Sequence, residues 1–160
     1  MFNSFKLNKK SGFTLIEVFA EIAIIGIISS IVMFNLNSFK NEQSLKNTEI
    51  DIVTLLNKAR QNTLSSINSN NYSVHFETDK AVLFTGSIYN AVDVTNEKII
   101  FDSSVTIPIS GGINLGGGSS VIYERLTGEA TDGNIVIKLK SDSSKQKTIT
   151  ISKTGVVSSN

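Results

Sequence analysis

Glu17 and Glu21 lie four residues apart inside a stretch of about 22 residues (13–34, FTLIEVFAEIAIIGIISSIVMF) that holds no other charge. On a helix that spacing puts both carboxylates on one face. An ionised group at membrane depth costs at least a few kcal/mol unless it is paired, so the two acids form a polar stripe able to meet a cation on a neighbouring helix. For Glu17 a second reading stands beside this one, that it lies near enough to the interface to reach water.

The other reactive side chains support little chemistry. His75 sits in the strand-like run Tyr72-Ser-Val-His-Phe with no second His and no Cys to share a metal, and it reads as a surface or half-buried strand histidine without a role. No serine stands in a Gly-x-Ser-x-Gly elbow. The run Gly111-Gly-Ile-Asn-Leu-Gly-Gly-Gly-Ser-Ser lacks the Gly-Lys-Ser/Thr end of a phosphate-binding loop and opens no helix, so it reads as a flexible loop. With residues 90–97 it is where contacts to neighbours or a ligand are expected, because long exposed loops carry recognition. Lys138, Lys140, Lys145, Lys147 and Lys153, set against Asp142 alone, form a basic hairpin. It contains no arginine or interleaved aromatic, and protection of a strand edge is its preferred reading over contact with phosphates.

Composition narrows the classes further. At 160 residues the chain suits one domain plus an appendage and excludes a large multi-domain enzyme. Hydrophobic residues make up 40% and charged ones 18%, too apolar for disorder. The net charge of +1 gives no global field to gather nucleic acid. Having no cysteine removes disulfide frameworks, thiolate catalysis and cysteine-bound metals, and a single histidine leaves little for acid–base relays.

The elements that carry these residues follow from pattern. Residues 13–34, at the helical rise, reach roughly 33 Å and match a bilayer's hydrocarbon thickness. Lys6, Lys9 and Lys10 precede them without an acid, whereas Lys40 and Lys46 beyond them are mixed with Glu42, Glu49 and Asp51, which places the N-terminus in the cytoplasm and the rest outside. No pair of small residues at alternate positions ends the apolar run, so it is not expected to be removed as a secretory signal. From residue 35 to about residue 66 there is no Pro or Gly, and Leu45, Thr48, Ile52, Leu55, Leu56, Ala59 and Ile67 recur at spacings of three and four. This predicts an amphipathic continuation of the helix with Lys46, Glu49, Lys58 and Arg60 on its other faces. Beyond Ser66-Ile-Asn-Ser-Asn-Asn, strands are predicted at 72–77, 81–85, 99–101, 105–109, 121–124, 135–140, 148–152 and 156–158, with tight turns at Asp79-Lys80 and Thr154-Gly155. The fold class is α+β: a long N-terminal helix, half membrane-spanning and half amphipathic, packed on a C-terminal antiparallel β domain.

The string Lys9-Lys-Ser-Gly12-Phe13-Thr-Leu-Ile-Glu17-Val resembles the cleavage and methylation signal of type IV prepilins, the family of type IV pilins and type II secretion and competence pseudopilins. The resemblance implies a prepilin peptidase cutting between Gly12 and Phe13 and N-methylating Phe13. Glu17 would then pair with the Phe13 ammonium of an adjacent subunit, so that two charges costly in lipid neutralise each other. It divides the chain into a leader (1–12), a transmembrane and assembly helix (13–34), an amphipathic continuation (35–66) and an extracytoplasmic β domain (67–160). Losing the leader removes three lysines and leaves 12 Lys plus Arg against 14 acids. Implied partners are other pilin or pseudopilin subunits, the peptidase, an inner-membrane assembly platform and, before assembly, membrane lipid.

A second resemblance, to FimT/GspH-like minor pilins and pseudopilins, rests on LLNKARQ at 55–61, on Tyr72-Ser-Val-His-Phe and on the closing Lys147-Thr-Ile-Thr-Ile-Ser-Lys-Thr-Gly-Val-Val. It implies a two-sheet β domain on the exposed half of the helix and a non-catalytic, cofactor-free, minor structural subunit. Some pilins bind calcium near the C-terminus, and Glu129 with Asp132 offers two oxygens, but turn chemistry accounts for the same Asp-Gly-Asn. The alternatives are a major pilin, which the lack of a helix-breaking Pro disfavours, a DNA-binding minor pilin using the basic hairpin, and an uncut membrane-anchored adhesin or receptor. Glu21 departs from the family, which is apolar there, and so calls for a polar partner on a specific neighbour or for a proton. The expected result is that Glu21→Val lowers incorporation into filaments; unchanged assembly, read by immunoblot of sheared filaments, removes any special role for Glu21.

Overall fold

The computed structural model describes residues 12–116 and 118–160, and these fall into two units, one ending at Ser38 and the other Phe39–Asn160. The basic leader positions Lys6, Lys9 and Lys10 lie outside the described residues. A single helix, α1 (Leu15–Leu64), supplies the described helical part of the first unit and opens the second.

In the second unit the buried face of α1 carries Leu45, Thr48, Glu49, Ile52, Leu55, Leu56, Ala59 and Thr63, the three- and four-residue rhythm of one helix face. Two expectations are corrected here. Ile67 is 42% exposed and off the stripe, whose last position is taken by Thr63. Glu49, expected on a polar face, is buried beside Thr48 and Ile52. The helix also stops at Leu64, short of residue 66, because Ser66, Asn68 and Ser69 adopt left-handed φ of 47°, 53° and 58° and turn the chain out of register. A 3-10 turn, Ile67–Ser69, then leads into the first strand. Thr63 fixes that entry: its hydroxyl accepts the Tyr72 N–H at 2.8 Å and donates to the Tyr72 carbonyl at 3.2 Å.

Among the described residues nine strands follow: β1 Tyr72–Phe76, β2 Lys80–Thr85, β3 Glu97–Ile100, β4 Val105–Thr106, β5 Ile113–Asn114, β6 Ser120–Ile122, β7 Gly133–Leu139, β8 Gln146–Ile151 and β9 Val157–Ser159. They form two sheets, in the orders β3-β2-β1-β6 and β4-β7-β8-β9, with β5 also on β7, and every pairing is antiparallel. Alternation decides which side chains face the helix. Val74, Phe76, Ala81, Leu83 and Val121 come from the first sheet, Tyr123 from the residue just past β6, and Ile135, Ile137, Leu139, Ile149 and Ile151 from the second sheet, and together with the α1 stripe they make one core. Fully burying each such aliphatic side chain is worth about 1.5–3 kcal/mol.

The eight expected strands all appear, in order, joined by a ninth, β5, and there are three differences. The segment 105–109 is a strand only at Val105–Thr106, since the Ile107 N–H turns to Thr78 O at 2.9 Å and Pro108 has no N–H to give. The glycine-rich run is not simply a flexible loop: Ile113–Asn114 pairs with β7, and Leu115 is buried. Phe101 leaves β3 to donate its N–H to Asp79 O at 2.9 Å while its ring stays buried. Gly133, at φ 150°, lets β5 approach, for a Cβ there would lie 2.0 Å from Asn114 O. Gly155 makes the expected turn at φ 76°, its N–H meeting Ser152 O at 2.8 Å.

This packing is checked by two substitutions on different faces of α1, one buried and one exposed. Leu56→Ala, in the core, is expected to cost about 2–5 kcal/mol of unfolding free energy, and Ile50→Ala, on the exposed face of α1, less than about 0.5 kcal/mol. Denaturant unfolding of the detergent-solubilised chain reads both, and equal effects would place the buried face wrongly.

Candidate functional site

The sequence directs attention first to the head of α1. Gly12 and Phe13 precede the helix, exposed, with the Phe13 ring 82% accessible. Thr14 caps it. The Glu17 Oε2 accepts the Thr14 backbone N–H at 2.8 Å and the Thr14 hydroxyl at 2.7 Å, while the Glu17 N–H donates back to Thr14 Oγ1 at 3.3 Å. This is a reciprocal capping box, Thr-x-x-Glu, and it uses donors that the first turn otherwise leaves unpaired. The signal stood in the sequence as Thr14 three residues before Glu17, and the reading of Glu17 as an intermolecular partner passed over it. Among the described residues no donor meets the Glu21 carboxylate, one turn further along.

The rest of the segment is apolar and open on all sides. Phe19, Ile22, Ile25, Ile28 and Ile31 are each more than half exposed, and α1 is the one helix among the described residues long and apolar enough to cross a membrane. Its hydroxyls do not spoil that character: Ser30 Oγ donates to the Gly26 carbonyl at 2.9 Å, the internal bond that lets serine sit in an apolar helix.

The five lysines of the basic hairpin do not share one surface. Along β7, Lys138 alternates with Ile137 and Leu139 and so points away from the core, and Lys140 follows it at the strand's end. Lys145 and Lys147 point to the opposite side, toward the helix. Lys145 pairs with Glu42, and the Lys147 ammonium lies 3.7 Å from Glu49. Glu42 and Glu49 are seven residues apart, two turns along one face, which matches two same-side positions of the hairpin. Together with Phe39, Leu45 and Lys46 these four residues line a cleft of about 430 Å³. The Glu42 carboxylate holds the Lys145 ammonium above its usual range. Lys153 stands elsewhere, in a smaller cleft with Glu124 and Glu129. Glu129 itself takes part in turn bonding, its N–H reaching Thr127 Oγ1 at 3.2 Å, and among the described residues no three His, Asp or Glu gather as a metal site.

His75 has a structural part the sequence did not disclose. Its ring stacks on Tyr89 with centroids 4.0 Å apart and 15° between planes, and Nδ1 lies 2.8 Å from Ser120 Oγ. Tyr89 meets Phe84 edge-on at 5.4 Å and donates to Glu77 Oε1 at 3.3 Å, while Glu77 pairs with Lys80 at 2.9 Å. Burial pushes the His75 imidazole below its usual range, the Glu77 carboxylate pulls it back up, and Lys80 pushes it down again. A histidine depressed in the folded state takes its proton first in the unfolded chain, so stability falls as pH drops below about 6.5 until the folded ring titrates as well. His75→Gln is expected to remove that part of the fall, flattening the thermal midpoint between about pH 7 and about pH 5. A pH series of thermal melts checks it, and an unchanged slope contradicts it.

No family model matches the chain, and no curated protein matches it in sequence. Among solved structures, the minor pseudopilin EpsH from the type 2 secretion system of Vibrio cholerae superposes with a TM-score of 0.52 at 12% identity, covering 73% of this chain and 96% of that one. At that identity the likeness is one of fold. A long N-terminal apolar helix continuing into an amphipathic stretch packed on antiparallel sheets is the α+β architecture of a minor pseudopilin.

Proposed function

We propose that this chain is a non-catalytic structural subunit, a minor one, of a type IV pilus or a type II secretion-like pseudopilus. In this reading prepilin peptidase cuts between Gly12 and Phe13, methylates the Phe13 amine and discards the basic leader. The subunit waits in the cytoplasmic membrane with its β domain outside, and an assembly platform moves it into a filament through α1. The observation that carries the reading is the conjunction of a pseudopilin fold with an exposed apolar helix headed by Gly12-Phe13-Thr14-Leu-Ile-Glu17.

The geometry supplies a mechanism for such a subunit. An apolar helix in lipid gains nothing hydrophobic by meeting another, so packing, polar pairing and close approach must drive association. At about 100° per residue, Ala23, Gly26 and Ser30 fall on one side of α1, roughly opposite Glu17 and Glu21. One side therefore admits a neighbouring backbone closely, and the other carries charge. Both Thr14 donors lie on Glu17 Oε2, which leaves Oε1 to receive the Phe13 ammonium of an adjacent subunit. A minor place fits a helix without Pro, the only Pro of the chain being Pro108. Lys145 and Lys147 act in this reading within the subunit, against Glu42 and Glu49.

Quantitative mass spectrometry of sheared surface filaments beside the membrane fraction tests it. The expected result is an N-methylated Phe13 terminus in the filament fraction at trace abundance relative to another pilin-like protein. The same terminus at dominant abundance makes the chain a major pilin, and an intact Met1 confined to the membrane overturns the reading.

A further inference from the structure

Between β2 and β3, residues 86–96 (GSIYNAVDVTN) hold three β-branched aliphatic side chains in water: Ile88 is 87% exposed, Val92 83% and Val94 96%. Such a loop ordinarily collapses onto the protein or moves freely. This one is tied down at each end and across its middle. The Tyr89 ring is clamped between His75 and Phe84, and its hydroxyl meets Glu77. Asn71 Nδ2 donates to Ser87 Oγ at 2.8 Å. Asn96 Nδ2 donates to the Asn90 carbonyl at 2.7 Å, and Asn90 Oδ1 accepts the Val92 N–H at 3.2 Å. Asp93, the one charged residue of the loop, accepts the Thr95 N–H at 2.9 Å and the Thr95 hydroxyl at 2.8 Å.

The loop is thus ordered by its polar groups and presents its apolar ones. Side chains stiff at χ1 on a pinned backbone lose little entropy when covered, which is the condition under which a small apolar surface binds well. Its chemistry selects the class of partner. The loop holds no cation, so it has nothing for phosphates of nucleic acid or for anionic lipid headgroups. Its one acid, Asp93, already accepts two bonds at Oδ1, and a single exposed carboxylate adds too little toward a basic partner to select one. What fits three uncharged aliphatics is an uncharged aliphatic surface on another protein. The size selects further. Three side chains cover on the order of a few hundred Å², well short of the roughly 800 Å² per partner of a free-standing complex. Such a contact counts only between molecules already held side by side, where effective concentration replaces area.

We infer that the Ile88, Val92 and Val94 tip is the lateral docking point of this subunit, seated on an uncharged aliphatic surface of a neighbouring subunit that is anchored in the same filament by its own apolar helix. The inference rests on the filament-subunit reading above and adds the face through which a neighbour is chosen.

The test uses the full-length chain in its own cells. An Ile88→Ser, Val92→Ser, Val94→Ser variant is expected to keep wild-type abundance in the membrane and wild-type N-methylation of Phe13, yet to fall roughly tenfold in its filament-to-membrane ratio. Tyr89→Ala leaves the three aliphatics in place and removes the clamp, and is expected to lower the ratio by a smaller factor, about threefold. A photo-crosslinking residue, Val94→p-benzoyl-phenylalanine, is expected to join the chain to a protein whose own N-terminus carries a Gly-aromatic cut site before an apolar segment. A triple variant within about twofold of wild type, or a cross-link to lipid alone or to nothing, overturns the inference while the methylated wild-type filament protein keeps the subunit reading intact. Absence of the wild-type chain from filaments overturns both.

Discussion

The stripe on α1 from Leu45 to Thr63 is the surface without which neither sheet is stable. The first sheet turns Val74, Phe76, Ala81 and Leu83 inward, and the second turns Ile135, Ile137, Ile149 and Ile151 inward; the helix positions Ile52, Leu55, Leu56 and Ala59 join both sets. No disulfide reinforces the arrangement, since the chain has no cysteine. Stability therefore comes from burial against one helix, and the helix in turn keeps its amphipathic half only while the sheets cover it. The β domain and the second half of α1 are thus one folding unit, which accords with the division of the chain at Ser38 rather than at the end of the helix.

Polar groups around the stripe set its register more than they add energy. Exposed ion pairs contribute little, and the Glu42–Lys145 and Lys58–Glu97 pairs are roughly half accessible at both partners. Glu49 differs: its side chain is only 11% exposed, and Lys147 reaches it from the core-facing side of β8. Losing the lysine would leave a carboxylate buried without a cation, which costs far more than the pair itself provides. Thr63 bonding both polar groups of Tyr72, and Arg60 donating to the Thr154 carbonyl at 3.2 Å, tie the other end of the stripe to β1 and to the β8–β9 turn.

Much of this was legible in the residue pattern, and the misses have physical causes. The stripe was readable because three- and four-residue spacing persists over many residues, and the longer strands because β-branched residues alternate between turn signals. β5 was not readable, because two residues in a glycine-rich run become a strand only when β7 lies beside them. Ile67 fits the helical rhythm but falls after left-handed Ser66, a backbone state that serine does not announce. Glu49 looked solvated because Lys147 is distant in sequence. His75 had no visible partner because Tyr89 arrives from a loop. The five lysines read as one hairpin patch from their spacing, but strand alternation sends Lys138 and Lys147 to opposite faces.

The capping box changes what the two carboxylates in the apolar half of α1 require. In the first turn of a helix four N–H groups lack intrahelical acceptors, and in lipid each is costly. Glu17 accepts one of them together with the Thr14 hydroxyl, at the end of the helix where the aligned peptide dipoles favour negative charge. The isolated chain therefore already has a use for Glu17. Glu21 sits one turn deeper, where the dipole's effect has faded and, among the described residues, no donor of its own helix reaches it. In the proposed filament, a neighbour that accepts α1 sideways meets both a Glu17 whose Oε1 is still open and a Glu21 without a capping donor. In that proposed setting Glu17 serves two ends, capping its own helix through Oε2 and offering Oε1 to a neighbour, whereas Glu21 has only a neighbour to turn to.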